Sequence, residues 1–205
     1  MKRRKAMKSL LFPAVAGMLT VMSGTAFADT AVSAVTDLNV RAGPGPQYPV
    51  IGVLAAGQSA TLNGCIENSK WCTIAEAGGQ GWVYSDYVTT NSGGSRVVLT
   101  QRRSSVAVVS PPDDIGDYST DYTGAIIASD PVVDEFPPPP AEVRTYVDTH
   151  RLDPVYLEGE VVTGAILPDT VELREIPNYD YRYVYVNGQR ALIDPQTRRI
   201  MYVVR

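Results

Sequence analysis

The chain has 205 residues, 44% of them hydrophobic and 20% charged, with a formal net charge of −4. That length gives room for one ordinary domain or two small ones. The acidic balance argues against nucleic acid or anionic lipid as a partner of the protein as a whole.

Residues 1–28 read as a signal peptide. Lys2, Arg3, Arg4, Lys5 and Lys8 make a charged start, residues 9–25 are small and apolar, and Ala26-Phe27-Ala28 fits a cleavage site. Cleavage between Ala28 and Asp29 after Sec-type export predicts a periplasmic or secreted protein. The competing reading is an uncleaved anchor. Pro13, Gly17 and Gly24 interrupt the segment, and it is short against the roughly 20 residues of a spanning helix. Cleavage removes five of the 18 basic residues and no acid, so 13 basic residues face 22 acidic ones and the mature charge is −9. No later run is apolar enough to span a bilayer, so no stable membrane insertion is expected after cleavage.

Residues 34–89 form the first compact block. The runs VTDLNVR, VIGVL, SATLNGC, WCTIAEA and GWVYSDYV alternate like strands, and GPGP, AAGQ, ENSK and GGQG separate them as turns. Short strands at such spacing predict a small all-β barrel. Between the first two runs, Gly43, Pro44, Gly45, Pro46 and Pro49 bar a helix and predict a rigid loop. Cys65 and Cys72 lie close together in the exported part, which suggests a disulfide. Free thiols and a metal site are the alternatives, and a metal needs more ligands than these two and a distant His150. Near the loops stand Arg41, Tyr48, Trp71, Tyr84 and Tyr87, the candidate ligand-binding residues. Arg41 has a plainer alternative as a structural partner of Asp37 or Asp86, and Trp82 reads as core.

The words LNVRAGPGPQYPVIGVLAAGQ, WCTI and GGQGWVYSDYV together resemble a bacterial SH3 domain over residues 34–89. The paired cysteines around a Trp resemble a common variant of that family. The resemblance implies an SH3-like barrel that recognises cell-wall peptide or peptidoglycan, or contacts an envelope protein.

Residues 91–140 are polar, acidic and rich in Pro and Ser, which predicts a disordered linker. Residues 137–140 are four prolines that read as a stiff polyproline II spacer rather than as a ligand.

Residues 141–205 form a second compact block, a small α+β domain. Val143, Tyr146, Val147 and His150 share one helical face, bounded by Pro140 and Pro154. Two short strands are expected around Leu167-Pro168-Asp169. YRYVYV, QRALI and RRIMYVV read as a three-stranded antiparallel meander, with Asn187-Gly188 favouring a type I′ turn. The words VRTYV, PVYLEGEVVTGAILPDTVEL and YVNGQRALIDPQTRRIMYVV resemble an uncharacterised domain family of exported Gram-negative proteins.

Catalytic chemistry is hard to assemble. The chain has one histidine, His150, which reads as structural, and no G-x-S-x-G elbow. Glu158 and Glu160 alternate and read as a solvated strand face. Tyr181, Tyr183 and Tyr185 share one strand face and read as packing residues. Arg198 and Arg199 read as a local basic spot. No phosphate loop, dinucleotide fingerprint or metal motif is present, so no cofactor and no metal are expected.

The fold expected is therefore mainly β: an SH3-like barrel, a disordered linker and a small α+β domain ending in a meander. The function expected is non-enzymatic binding or tethering in the cell envelope. One alternative is a structural or stress-related interaction factor that acts through the C-terminal sheet. Another is a cell-wall-targeted enzyme whose catalytic domain is the C-terminal block.

Overall fold

The computed structural model describes residues 30–112, 122, 124–128 and 137–205. The expected signal peptide, with Ala28 and Asp29, lies outside the described residues. No helix among the described residues is long and apolar enough to cross a membrane.

The first module is one antiparallel sheet of eight strands. They are β1 (Thr30–Ala34), β2 (Leu38–Arg41), β3 (Val50–Leu54), β4 (Ser59–Cys65), β5 (Trp71–Glu76), β6 (Gly79–Tyr84), β7 (Val88–Ser92) and β8 (Ser95–Val98). Their spatial order is β3-β2-β6-β5-β4-β1-β7-β8, which leaves β3 and β8 as the edges. Alternation explains the central strands. In β4 the inward positions are Ala60 and Leu62, while Ser59 and Asn63 face water. Leu38, Leu54, Ile74, Val83 and Val88 complete a core closed to solvent. Cys65 and Cys72 stand opposite each other in the β4–β5 ladder and are bonded, as the sequence suggested.

The stretch read as linker is divided in the structure. Gly93 and Gly94, both at positive φ, turn the chain from β7 into β8. Leu99 then enters the core, and a 3-10 segment runs over Leu99–Ser105. Beyond it the Cys65 N–H donates to the Ala107 carbonyl (2.9 Å), and the Val109 N–H donates to the Cys65 carbonyl (3.1 Å). This approach depends on Gly64, where a Cβ would sit 2.5 Å from a Val109 methyl carbon and 2.8 Å from the Ala107 oxygen. Residues 124–128 are built into the second module: Ile126 N–H donates to the Glu158 carbonyl (2.8 Å), and Ile127 exchanges two bonds with Ile166 (3.0 Å each). Short apolar runs such as VAVV and AIIA find backbone partners here that a local reading of their polar surroundings cannot supply.

The second module begins with α1 (Ala141–Thr149), which follows the four prolines and buries Val143 and Val147. Four strands follow: β9 (Arg174–Glu175), β10 (Arg182–Val186), β11 (Gln189–Ile193) and β12 (Ile200–Val204), ordered β12-β11-β10-β9. The last three are the expected meander. Asn187 (φ 51°) and Gly188 (φ 75°) both sit in the left-handed region, as a type I′ turn requires. Of the two strands expected around Leu167-Pro168-Asp169, the first is not formed and the second is only the two-residue β9. That region makes isolated bridges, and side chains serve its backbone. Asn187 accepts from the Leu157 N–H (2.8 Å) and donates to the carbonyls of Leu157 (3.0 Å) and Gly159 (3.1 Å). Arg198 donates to the carbonyls of Leu167, Pro168 and Val171. Arg198 and Arg199 are thus bonded to backbone carbonyls on their own module rather than forming a free basic spot.

The modules share one core. A continuous buried cluster includes Val32, Leu62 and Val88 of the first and Leu157, Val161, Val184 and Ile193 of the second. A smaller cluster joins α1 to the second sheet through Val143, Val147, Tyr183 and Leu192.

Candidate functional site

The junction of the modules is organised by an ion pair closed to solvent. Arg41 is the last residue of β2, and Glu160 lies in the irregular segment before β9. Their side chains are 1% and 0% exposed. The guanidinium grips the carboxylate at two points, Nε to Oε2 (2.5 Å) and Nη2 to Oε1 (2.7 Å). Its remaining donors reach the carbonyls of Pro46 (2.9 Å), Tyr48 (2.7 Å) and Asn187 (3.2 Å). All five N–H groups of an arginine are thereby engaged. Glu160 also accepts from Asn39 Nδ2 (2.9 Å) and from the Val161 N–H (2.8 Å).

These contacts revise two expectations. Glu160 is not on a solvated face; it is the buried anion of the junction. Arg41 is not available to an outside ligand, because its fork is already filled. Its partner is also neither Asp37 nor Asp86. Asp37 meets Arg205, and Asp86 meets Lys70 (2.8 Å). The Gly-Pro bend has its explanation here too: residues 42–49 curl over Arg41 and present two carbonyls to it.

Above this pair lies a cleft of about 710 Å³. One wall is the Gly-Pro loop with β3, and the other is the end of α1 with β10 and β11. Tyr48, half-buried, lines the first wall, and Tyr156 and Tyr185 line the second. The structure therefore brings Arg41 and Tyr48 together at the cleft.

The other three candidates lie elsewhere. Trp71, Tyr84 and Tyr87 are 5%, 4% and 5% exposed and belong to the core. Trp71 stands opposite Tyr84 in the β5–β6 ladder and meets it edge-on at 5.3 Å. Burial, with the Asp86 carboxylate adding to it, raises the phenols of Tyr84 and Tyr87 well above the usual tyrosine value. Such groups stay neutral and pack; they do not present a binding edge. Trp82 is buried as expected.

His150 caps α1, stacks on Tyr146 at 3.9 Å, and shares a Nδ1 hydrogen bond with the Tyr146 carbonyl (2.9 Å). Tyr183 donates to the His150 carbonyl (3.0 Å), and its phenol is raised, first by burial. Among the described residues no group of three His, Cys, Asp or Glu side chains is placed to hold a metal ion. Asn39, Glu160 and Gln189 were missed by sequence reasoning. Glu160 carried one usable signal, an acid inside the apolar run VYLEGEVV.

Residues 36–89 match the family model of the bacterial SH3 domain, and residues 146–205 match that of a domain of unknown function, DUF1236. The chain thus carries both modules its sequence suggested. A curated relative, the "Putative N-acetylmuramoyl-L-alanine amidase YrvJ" of Bacillus subtilis (strain 168), is 41% identical over 73 residues. The similarity covers 36% of this chain and 13% of that protein. No solved structure matches the chain significantly.

Proposed function

We propose that this protein is an exported, non-enzymatic component of the cell envelope that binds cell-wall peptide or peptidoglycan. The observation that carries the reading is the bacterial SH3 domain at residues 36–89. The similarity to a protein named as an N-acetylmuramoyl-L-alanine amidase supports the same substrate class. The charged and apolar start of the sequence supports export to the periplasm or beyond, and the Cys65–Cys72 bond suits an oxidising compartment. The non-enzymatic part is supported by the state of the reactive groups: both thiols are bonded, and His150 is stacked and hydrogen-bonded as a helix cap.

Co-sedimentation with purified sacculi tests the reading. The mature chain should pellet with sacculi saturably and stay in solution without them. A chain that remains in the supernatant at every sacculus concentration removes the wall from its partners and leaves an envelope protein in that place. Release of soluble muropeptides by the purified protein would overturn the non-enzymatic assignment.

A further inference from the structure

We propose that the cleft between the two modules binds an extended peptide bearing a carboxylate. Gln189 pairs with the peptide main chain and Arg151 with its acid. The proposal rests on the peptide-binding reading above and places that binding at the junction, not on the loops of the barrel alone.

Charge gives the first argument. The chain carries a formal net charge of −4, yet this cleft is lined by Arg41, Arg151, Arg190 and Arg205 and by no Asp or Glu. Three of these cations have carboxylate partners: buried Glu160 for Arg41, and exposed Asp148 for Arg190 and Asp37 for Arg205. Arg151 is exposed just past α1 and makes no ion pair or hydrogen bond among the described residues. A concave surface with an uncompensated guanidinium and no facing carboxylate concentrates anions. The planar fork of arginine selects carboxylates among them by paired hydrogen bonds.

Unpartnered amides give the second. Gln189, 8% exposed, lines the cleft, and neither its Nε2 nor its Oε1 has a hydrogen-bond partner among the described residues. The Oδ1 of Asn39, on the opposite wall, is in the same condition. Buried polar groups are rarely left so, and each one needs an explanation. A side-chain amide offers a donor and an acceptor side by side. One residue of an extended chain offers the complementary N–H and C=O along one edge, as in an antiparallel ladder. Both amide atoms are closed to solvent, so pairing requires the Gln189 side chain to turn into the cleft, where an extended peptide satisfies it in a way that a simple anion does not.

The wall gives the third. The edge strand β3 contributes Val50, Gly52 and Val53 to the cleft, and the two valines are 38% and 36% exposed. An exposed apolar edge strand is the ordinary seat of an added extended segment. The cleft volume lies within the range of small-ligand sites.

The test uses the mature chain and the synthetic tripeptide Ala-Glu-Ala with a free C-terminus, followed by calorimetric titration. Its control is Ala-Lys-Ala with an amidated C-terminus. We expect saturable binding of the acidic peptide and at least tenfold weaker binding of the control. Gln189→Leu should weaken the acidic peptide at least tenfold while the melting midpoint holds or rises, because a buried unpartnered amide is removed. Arg151→Gln, on the exposed rim where the fold is not at risk, should weaken it severalfold and flatten its salt dependence. Arg96→Gln, far off on β8, should leave binding unchanged. Failure of Ala-Glu-Ala to bind at millimolar concentration, or equal binding by the parent, Gln189→Leu and Arg151→Gln, overturns the proposal. Sacculus binding that survives both cleft variants then leaves the envelope reading intact. Peptide binding without sacculus binding does the reverse.

Discussion

The two modules reach order by different routes. In the first, neighbouring strands satisfy one another, and most of the sheet is a ladder between segments close in sequence. In the second, only α1 and a small sheet are regular. Residues 155–171 make only scattered backbone bridges, and single side chains, chiefly Asn187 and Arg198, serve the backbone groups between them. A ladder spreads its stability over many equivalent bonds, so losing one costs little. A segment held by a few side chains concentrates its stability in them. The sensitive positions of this protein should therefore cluster in the second module and at the junction.

The strongest way to break the comparison is at Glu160. Glu160→Ala leaves Arg41 charged and unpaired in the core, and breaking a buried pair costs about 3–5 kcal/mol. Chemical denaturation should show that loss for both modules in one transition, and the double change Arg41→Met with Glu160→Leu should recover much of it. Two separate transitions in the parent would show that the shared core does not couple the modules.

Asn187→Ala comes next. It strips partners from Leu157 and Gly159 and places Ala at a positive φ, for a loss of about 3 kcal/mol. Asn187→Gly should recover only the backbone share, about 1 kcal/mol. Recovery of most of the loss by Gly would mean that the turn matters and the side-chain bonds do not. Reducing the Cys65–Cys72 bond should cost about 2.5 kcal/mol by loop entropy, with the ladder around it retained in amide exchange. Loss of exchange protection across β4 and β5 on reduction would make the ladder the weaker partner.

The smallest effect belongs to Asp194, which opens the β11–β12 turn. Its carboxylate accepts from the backbone N–H groups of Gln196 (2.7 Å) and Thr197 (3.2 Å), and the Gln196 bond leads in holding its pKa below the ordinary value. The folded value is the lower one. The stabilisation is therefore present above the unfolded value, near about 4, and is lost as pH falls through the folded value. The difference in melting midpoint between the parent and Asp194→Ala should be steady near neutrality and shrink below about pH 4. A gap unchanged down to acid pH would assign it to the turn backbone and not to the charge.

Much of the first module could be read from its sequence because its contacts are local. Alternation in SATLNGC and WCTIAE, with turn residues between strands, marks β4 and β5 directly. Asn187-Gly188 marked its hairpin for the same reason. β1 went unread because its partners, β4 and β7, lie far along the chain, and residues 106–109 because they pair with Cys65 far behind them. β8 pairs with its neighbour β7 and went unread because the polar stretch around it carries no strong apolar period. The candidate site shows the same limit. Arg41 stood out as an arginine beside a rigid loop, but its role depends on a residue 119 positions away. Trp71 and Tyr84 lie near turns in sequence, yet they form a cross-strand pair on an inward face. Gln189 gave no signal at all, since a glutamine after a turn is ordinary until its amide is seen without a partner.

The Arg41–Glu160 pair also sets a timetable. The ladder from β2 to β6 assembles from segments that follow one another along the chain. Arg41 can shed its water only when a carboxylate 119 residues downstream arrives. Closing so long a loop comes late, and topologies that rely on such closures fold slowly. We expect refolding in two kinetic phases, an early one for the ladder and a later one in which the guanidinium is dehydrated and the Gly-Pro loop settles over it. In the Arg41→Met, Glu160→Leu double variant the later phase should accelerate, since no charge remains to be dehydrated; an unchanged late phase would assign it to chain closure alone. Until that step is complete, the nascent protein carries a hydrated cation at the seam where its core must close.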